Sequence, residues 1–361
     1  MNTTRATTSC LSVASLPNGP VSVGCMARFL SQPGKNNRAL VQYPPTTRPR
    51  AVRAMALSEL SGDGQRIVFT QLCNVLEPCL AVALSGASHG LWASTQALRQ
   101  QLKADHEVAT ALCLKVGLRS CKELREAKAV EWYEKGLTAT DLATLGTLGS
   151  VLPALERLHI IETPSMPSLH AIITSAGAGF TAVPDGMQRL VERLGTGALP
   201  AVTSLTLSMH VGDAGASALA AALGRGAMPR LESLMLHQAS IGDAGLVALA
   251  PALRRLPALE HINLWKNPLG DEGLAALVAP PPPLPAGALP PPTGVLAKLK
   301  WLYLGESQVN DAGCAALAAA LNRGALPALD MLDILLIPAS AAAKEAVRGA
   351  LARSRAARLP S

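Results

Sequence analysis

One short pattern, Leu-x-x-Leu-x-Leu, recurs along this chain and constrains its fold more than any other feature. It stands as Leu155-x-x-Leu158-x-Ile160, Val202-x-x-Leu205-x-Leu207, Leu231-x-x-Leu234-x-Leu236, Leu259-x-x-Ile262-x-Leu264, Leu299-x-x-Leu302-x-Leu304 and Leu329-x-x-Leu332-x-Ile334. The starts are separated by 47, 29, 28, 40 and 30 residues, so a period of 28–30 is interrupted by two insertions. A period of this length means that each unit is one supersecondary element, able to bury its apolar face only against its neighbours.

A second signal runs in phase with the first. About 12 residues after a start come an apolar residue, Gly or Asn, and Asp-x-Gly. These are Val211-Gly212-Asp213-Ala214-Gly215, Ile241-Gly242-Asp243-Ala244-Gly245, Leu269-Gly270-Asp271-Glu272-Gly273 and Val309-Asn310-Asp311-Ala312-Gly313. Ala and Leu at helical spacing follow. The unit therefore predicts a short strand that buries alternate apolar residues, then a helix. The Asp is expected to cap its own helix by accepting from the first free N–H groups. Pro ends the helix before the next strand.

These units resemble the leucine-rich repeats of the long, ribonuclease-inhibitor-like class. The resemblance implies an α/β solenoid, curved, with parallel strands on its concave face and helices outside. The Asn that follows the strand in that family is matched only by Asn267; Ala239, His210 and Ser307 stand at the equivalent positions. Aligning Trp132 with Leu264 recovers a degenerate first unit at 127–154, where Thr138-x-x-Asp141 has the form of a capping box. The solenoid is thus expected over 127–358, with insertions at about 161–182 and at 279–294. The second contains PPPPLPAGALPPP. The Ala-rich end, 339–358, reads as a closing helix with Lys344, Arg348, Arg353, Arg355 and Arg358 toward the end where the helix dipole favours cations.

Residues 59–126 read as an α-helical N-terminal cap, in which Ser120-Cys-Lys-Glu123 has the form of a capping box. Within the cap, residues 67–92 resemble an F-box. Phe69 and Leu72 would lie on its first helix, Leu76-x-Pro78 at the turn, and Leu80, Leu84 and Ser88 on and after the next helix. An F-box before leucine-rich repeats implies a substrate adaptor of a cullin-type ubiquitin ligase that binds a Skp1-like protein.

Charge separates the remainder. No Asp or Glu precedes Glu59, while Arg5, Arg28, Lys35, Arg38, Arg48, Arg50 and Arg53 do. Removing those seven from the 32 basic residues leaves 25, against 25 acidic residues. The neutral body argues against nucleic acid as a partner, since that affinity rests on clustered Lys and Arg. The segment 1–58 reads as a disordered basic leader or a transit-like peptide, which gives a cytoplasmic protein or, for a transit peptide, a plastid or mitochondrial one. No apolar run approaches the roughly 18–20 residues of a helical membrane span. The seven Cys form no CxxC pair, which points away from a disulfide scaffold or structural zinc and toward a reducing compartment.

No GxSxG, HExxH, Walker loop or strand-linked GxGxxG occurs, and the seven His show no paired spacing. The chain is therefore read as a non-enzyme without cofactor or metal. The repeat offers a site of another kind. In each strand the residues between the buried leucines point to solvent. Read across the strands, these positions gather Trp265, Trp301 and Tyr303 beside His237, His261, Asn263, Lys266, Glu306 and Asp333. Trp and Tyr are typical anchors of protein interfaces. The expected function is a protein–protein interaction scaffold using these residues on the concave face. The alternatives are the F-box-type adaptor and an enzyme regulator or inhibitor.

Overall fold

The alternation of buried Leu with outward residues produces seven short strands in register. The computed structural model describes residues 60–162, 184–280 and 296–358. The strands are β1 (Ala129–Tyr133), β2 (Arg157–Ile161), β3 (Ser204–Ser208), β4 (Ser233–Met235), β5 (His261–Asn263), β6 (Trp301–Tyr303) and β7 (Met331–Asp333). They form one parallel sheet in chain order. Two columns of outward residues are aligned strand by strand. One runs Ala129, Arg157, Ser204, Ser233, His261, Trp301, Met331; the other runs Glu131, His159, Thr206, Met235, Asn263, Tyr303, Asp333. The partners between them, Val130, Leu158, Leu205, Leu234, Ile262 and Leu302, are buried, as is the first Leu or Val of each of the six motifs. Residues 127–154 hold β1 and a helix Ala139–Leu148.

Each helix lays small and branched apolar residues on this sheet. Leu219 and Leu223 come from helix Gly212–Gly224, Leu246, Leu249 and Leu253 from Asp243–Leu253, and Leu274 and Leu277 from Asp271–Val278. Leu317 and Leu321 come from helix Asp311–Asn322. The helices stack on one another as well as on the sheet. Gly146 sits where a side chain would collide with the Leu190 carbonyl and Arg193, so helices Ala139–Leu148 and Pro184–Arg193 approach backbone to backbone.

The repeated Asp does not cap its own helix; it caps the next one. Asp213 Oδ1 accepts from the N–H of Gly242 at 2.7 Å and of Gly245 at 3.0 Å. Asp243 Oδ1 accepts from Gly270 and Gly273 at 2.8 and 2.7 Å, and Asp271 Oδ1 from Asn310 and Gly313, each at 2.9 Å. The carboxylate reaches across because the helices lie side by side with their N-termini level. This explains the Gly in Asp-x-Gly. A Cβ on Gly245 would lie 2.5 Å from Asp213 Oδ1, and one on Gly273 would lie 2.8 Å from Asp243 Oδ1. The series ends at Ser340, whose N–H donates to Asp311 Oδ1 at 2.6 Å. There Ala343 replaces the Gly, and its N–H donates to Ser340 Oγ instead.

The ends of the array are built differently. Thr138 and Asp141 make the expected capping box, and Lys115 pairs with Asp141 at 2.6 Å. At Ser120 the Oγ accepts from Glu123 N–H, while the Glu123 carboxylate accepts from Arg119 N–H and not from Ser120. The last helix, Ala341–Ala356, buries Val347, Ala350 and Leu351. Three cations on or just after it are tied back to earlier residues: Lys344 donates to the Ile337 carbonyl, Arg353 to Asn322 of the preceding unit, and Arg358 to Asp330 and the Leu329 carbonyl.

The chain divides into two compact units: residues 73–78 with 97–358, and residues 60–72 with 79–96. In the smaller unit, helices Gly62–Leu72, Cys79–Ser85 and His89–Ser94 surround the buried Phe69, Ala81 and Leu91. Ser88 caps the third of these helices by accepting from Leu91 N–H. The leader 1–58 and most of both insertions lie outside the described residues.

Candidate functional site

The turn after β5 sets the geometry of the site. Asn267 is buried; its Oδ1 accepts from Ala239 and Ile241 N–H, and its Nδ2 donates to the Leu236 and Leu264 carbonyls. Asn263 Oδ1 accepts from Trp265 N–H at 2.9 Å. These bonds fix the Trp265 backbone, and the ring then lies against Gly305 of the next unit. A Cβ at Gly305 would fall 2.9 Å from Trp265 Cδ1 and 3.0 Å from Asp333 Oδ2. Gly305 is therefore the gap that lets the Trp265 ring and the Asp333 carboxylate share one ledge. Asp333 is itself oriented by Leu335 N–H, 2.9 Å from its Oδ1.

Trp301 stands on the neighbouring column. Its ring centroid is 4.5 Å from that of His261, at 38°, and it remains 43% exposed. Tyr303 and Trp265 are half-buried. Lys266 places its ammonium 5.5 Å from the Trp265 ring centroid, a cation–π distance. Gln238, Lys266, Glu306 and Leu336 all take left-handed backbone, with φ of 52 to 56°, because each occupies the same position of the turn. His237 lies in the turn after β4, and burial pushes its pKa below the ordinary value.

The structure therefore brings Trp265, Lys266, His261, Trp301, Asn263, Tyr303 and Asp333 onto adjacent positions of β5–β7 and their turns. His237 lies one strand earlier, and Glu306 follows the ledge, its N–H donating to the Leu335 carbonyl. The sequence reading passed over three side chains that extend the patch. Met331, Leu335 and Leu336 are 51%, 63% and 77% exposed. Met331 heads the same outward column as Trp301, which was the available sign; the weight given to aromatic residues obscured it. Beside them a hollow of about 340 Å³ is lined by Tyr303, Met331, Leu332, Asp333, Leu335 and Leu351. Tyr133, exposed on β1, lies at the opposite edge of the sheet.

The charges around the patch are of both signs. Glu260 and Lys300 form a 2.8 Å ion pair just before β5 and β6. Lys300 holds the Glu260 carboxyl below its usual range. The arrangement offers apolar and stacking surface rimmed by polar groups. Among the described residues, no group of three His, Cys, Asp or Glu is placed to hold a metal ion, and no helix is long and apolar enough to cross a membrane.

Comparison with curated proteins finds no match. A family model described as "Leucine Rich repeat" matches residues 256–278, the unit that holds β5, Asn267 and helix Asp271–Val278. That match and the seven-stranded parallel sheet with its helices fit a leucine-rich repeat protein of α/β, solenoid-like fold.

Proposed function

We propose that this chain is a non-enzymatic protein–protein interaction scaffold that holds its partner on the solvent side of β5–β7. The observation that carries the reading is the exposure of Trp301 beside Met331 and Leu335, next to the ledge that fixes Trp265. Contiguous apolar surface of this kind costs solubility and marks binding sites in soluble proteins. A ring already held by His261 loses little rotamer freedom on binding, which raises its value as an anchor. Truncating such an anchor weakens binding by about 2 kcal/mol, roughly 30-fold. The test is capture from lysate by the immobilised full chain and by Trp301→Ala/Met331→Ser. The expected result is one protein retained by the first and lost by the second, with equal urea midpoints. Equal retention by both would overturn the reading.

The smaller unit favours a second reading. Ile67, Leu80 and Trp92, one on each of its three helices, are 63%, 54% and 45% exposed. Exposed apolar residues within the F-box-like stretch are what an adaptor would present to a Skp1-like protein. Co-expression with such a protein should give a complex that Ile67→Asp/Leu80→Asp abolishes and Trp301→Ala leaves intact. Failure to co-purify would remove this reading and leave the scaffold reading untouched.

A further inference from the structure

A pair of thiols lies well away from the sheet's outward face. Cys113 sits in the last turns of helix Gln96–Val116, and Cys121 opens helix Cys121–Glu126. Gly117, with φ of 92°, takes the left-handed turn that folds one helix back toward the other. The two sulfurs are 3.9 Å apart and both residues are buried, within the cluster that contains Leu112, Val116 and Leu124. Thr110 adds a third polar atom. Its hydroxyl is 2.8 Å from the His106 carbonyl and 3.4 Å from Cys121 Sγ. With one proton to give, it donates to the carbonyl or turns to the sulfur.

We propose that Cys113 and Cys121 are an oxidisable dithiol, converted by hydrogen peroxide into an intramolecular disulfide that ties helix Gln96–Val116 to helix Cys121–Glu126. A disulfide needs the sulfurs at roughly 2.0 Å. The sulfurs stand 3.9 Å apart, so forming the bond asks them to close by about 2 Å. In the first step the Cys121 thiolate attacks one peroxide oxygen. The O–O bond breaks, and the departing hydroxide takes up the proton the thiol released, giving water and a Cys121 sulfenic acid. In the second step the Cys113 sulfur attacks the Cys121 sulfur. The S–O bond breaks, and the hydroxyl leaves with the Cys113 proton as a second water. Two thiols are oxidised and one peroxide is reduced.

The surroundings assign the order. The Cys113 thiol, and then the Thr110 hydroxyl and His106, hold the Cys121 pKa down against the desolvation that opposes them. The same contact, with burial, pushes Cys113 up. Geometry gives Cys121 the attacking role and Cys113 the resolving one: Cys121 is 5% exposed against 0% for Cys113, and the Thr110 hydroxyl can turn to its sulfur.

The test uses the full chain, oxidised with hydrogen peroxide, quenched with N-ethylmaleimide and digested with trypsin without reductant. Lys115 and Arg119 lie between the two cysteines, so cleavage there separates their peptides unless a disulfide joins them. The expected result is a joined peptide two hydrogens lighter than its parts, released by dithiothreitol. It should form on the order of tenfold faster than in the urea-unfolded chain, as expected for a pre-aligned pair. Cys113→Ser should leave a dimedone-reactive sulfenic acid at Cys121, and Cys121→Ser should give neither product. If the native wild-type chain keeps Cys113 and Cys121 fully alkylatable while the exposed Cys79 is oxidised, the proposal fails, whatever the variants do.

Discussion

A single buried side chain, Asn267, satisfies four backbone groups in two successive turns. Its replacement by Ala would orphan two N–H and two C=O groups at once. Each such loss costs about 1 kcal/mol, so Asn267→Ala should lower stability by about 3–4 kcal/mol in urea unfolding. One unit along, Ser307 stands at the same position, and its buried Oγ has no partner. Removing an unsatisfied hydroxyl relieves a desolvation cost, so Ser307→Ala should be neutral or stabilising by about 1 kcal/mol. The opposite signs at equivalent positions make the pair a sharp check. The sequence alone distinguished Asn267 from Ser307, because only the amide carries a separate carbonyl acceptor and a two-proton donor, enough for groups in both turns. It was silent on Leu336, which takes a left-handed φ of 56° at the same turn and is exposed. That strain belongs to the turn and not to the residue, and Asn tolerates it better than Leu. Leu336→Asn should raise the urea midpoint, by about 0.5–1 kcal/mol in stability.

Between elements, the joint is the carboxylate of one helix closing the N-terminus of the next. Asp243→Ala should cost about 2 kcal/mol by orphaning Gly270 and Gly273 N–H. Asp311→Ala should cost less, because among the described residues it bridges to Ser340 and not to two N–H groups of a following Asp-x-Gly. Gly273→Ala should be at least as damaging as Asp243→Ala, since the new methyl meets the same carboxylate. If Gly273→Ala were harmless, the account of Asp-x-Gly would be wrong. The spacing of Asp and Gly was plain in the sequence, and so was their place at the start of a helix. Which helix each Asp serves was not. A period of 28 residues sets a helix in the same phase as its neighbour, so a pattern repeated once per unit fits capping within a unit and between units equally well. Only the lateral distance between helices decides, and that distance is a property of packing. The Asp271 joint shows how firmly packing decides, for it reaches Asn310 and Gly313 across the longest gap in the series.

For the repeat array as a whole, two carboxyls tie stability to pH. Asp141 is held below the ordinary carboxyl range by Lys115 and Thr138, against its own desolvation; Asp311 is held down by Ser340. A carboxyl lowered in the folded state contributes stability above its unfolded pKa of about 3.9 and loses it as pH falls through the lower folded value. His237, lowered by burial, adds a loss that begins lower still than neutrality, below about 6.5, where the unfolded chain takes up a proton more readily. Urea midpoints should therefore fall slightly from pH 7 to 5 and steeply below 4, and Asp141→Asn should flatten the steep part. The class of architecture was legible because six motifs agree in phase. The patch was half legible: alternation gave the direction of Trp301 and Tyr303, but neither the exposure of Met331 nor that Gly305 would make a seat for Trp265. The interlocking of each carboxylate with the following glycines has one more consequence. Every unit carries both the plug and the socket of the same fitting. Excising residues 243–270 would bring Gly242 directly before Asp271, leaving Asp213 facing Gly242 and Gly273 in the arrangement it already knows. A chain of this design can lengthen or shorten by whole copies without inventing a new seam, and its count of repeats is free to drift where its sequence is not.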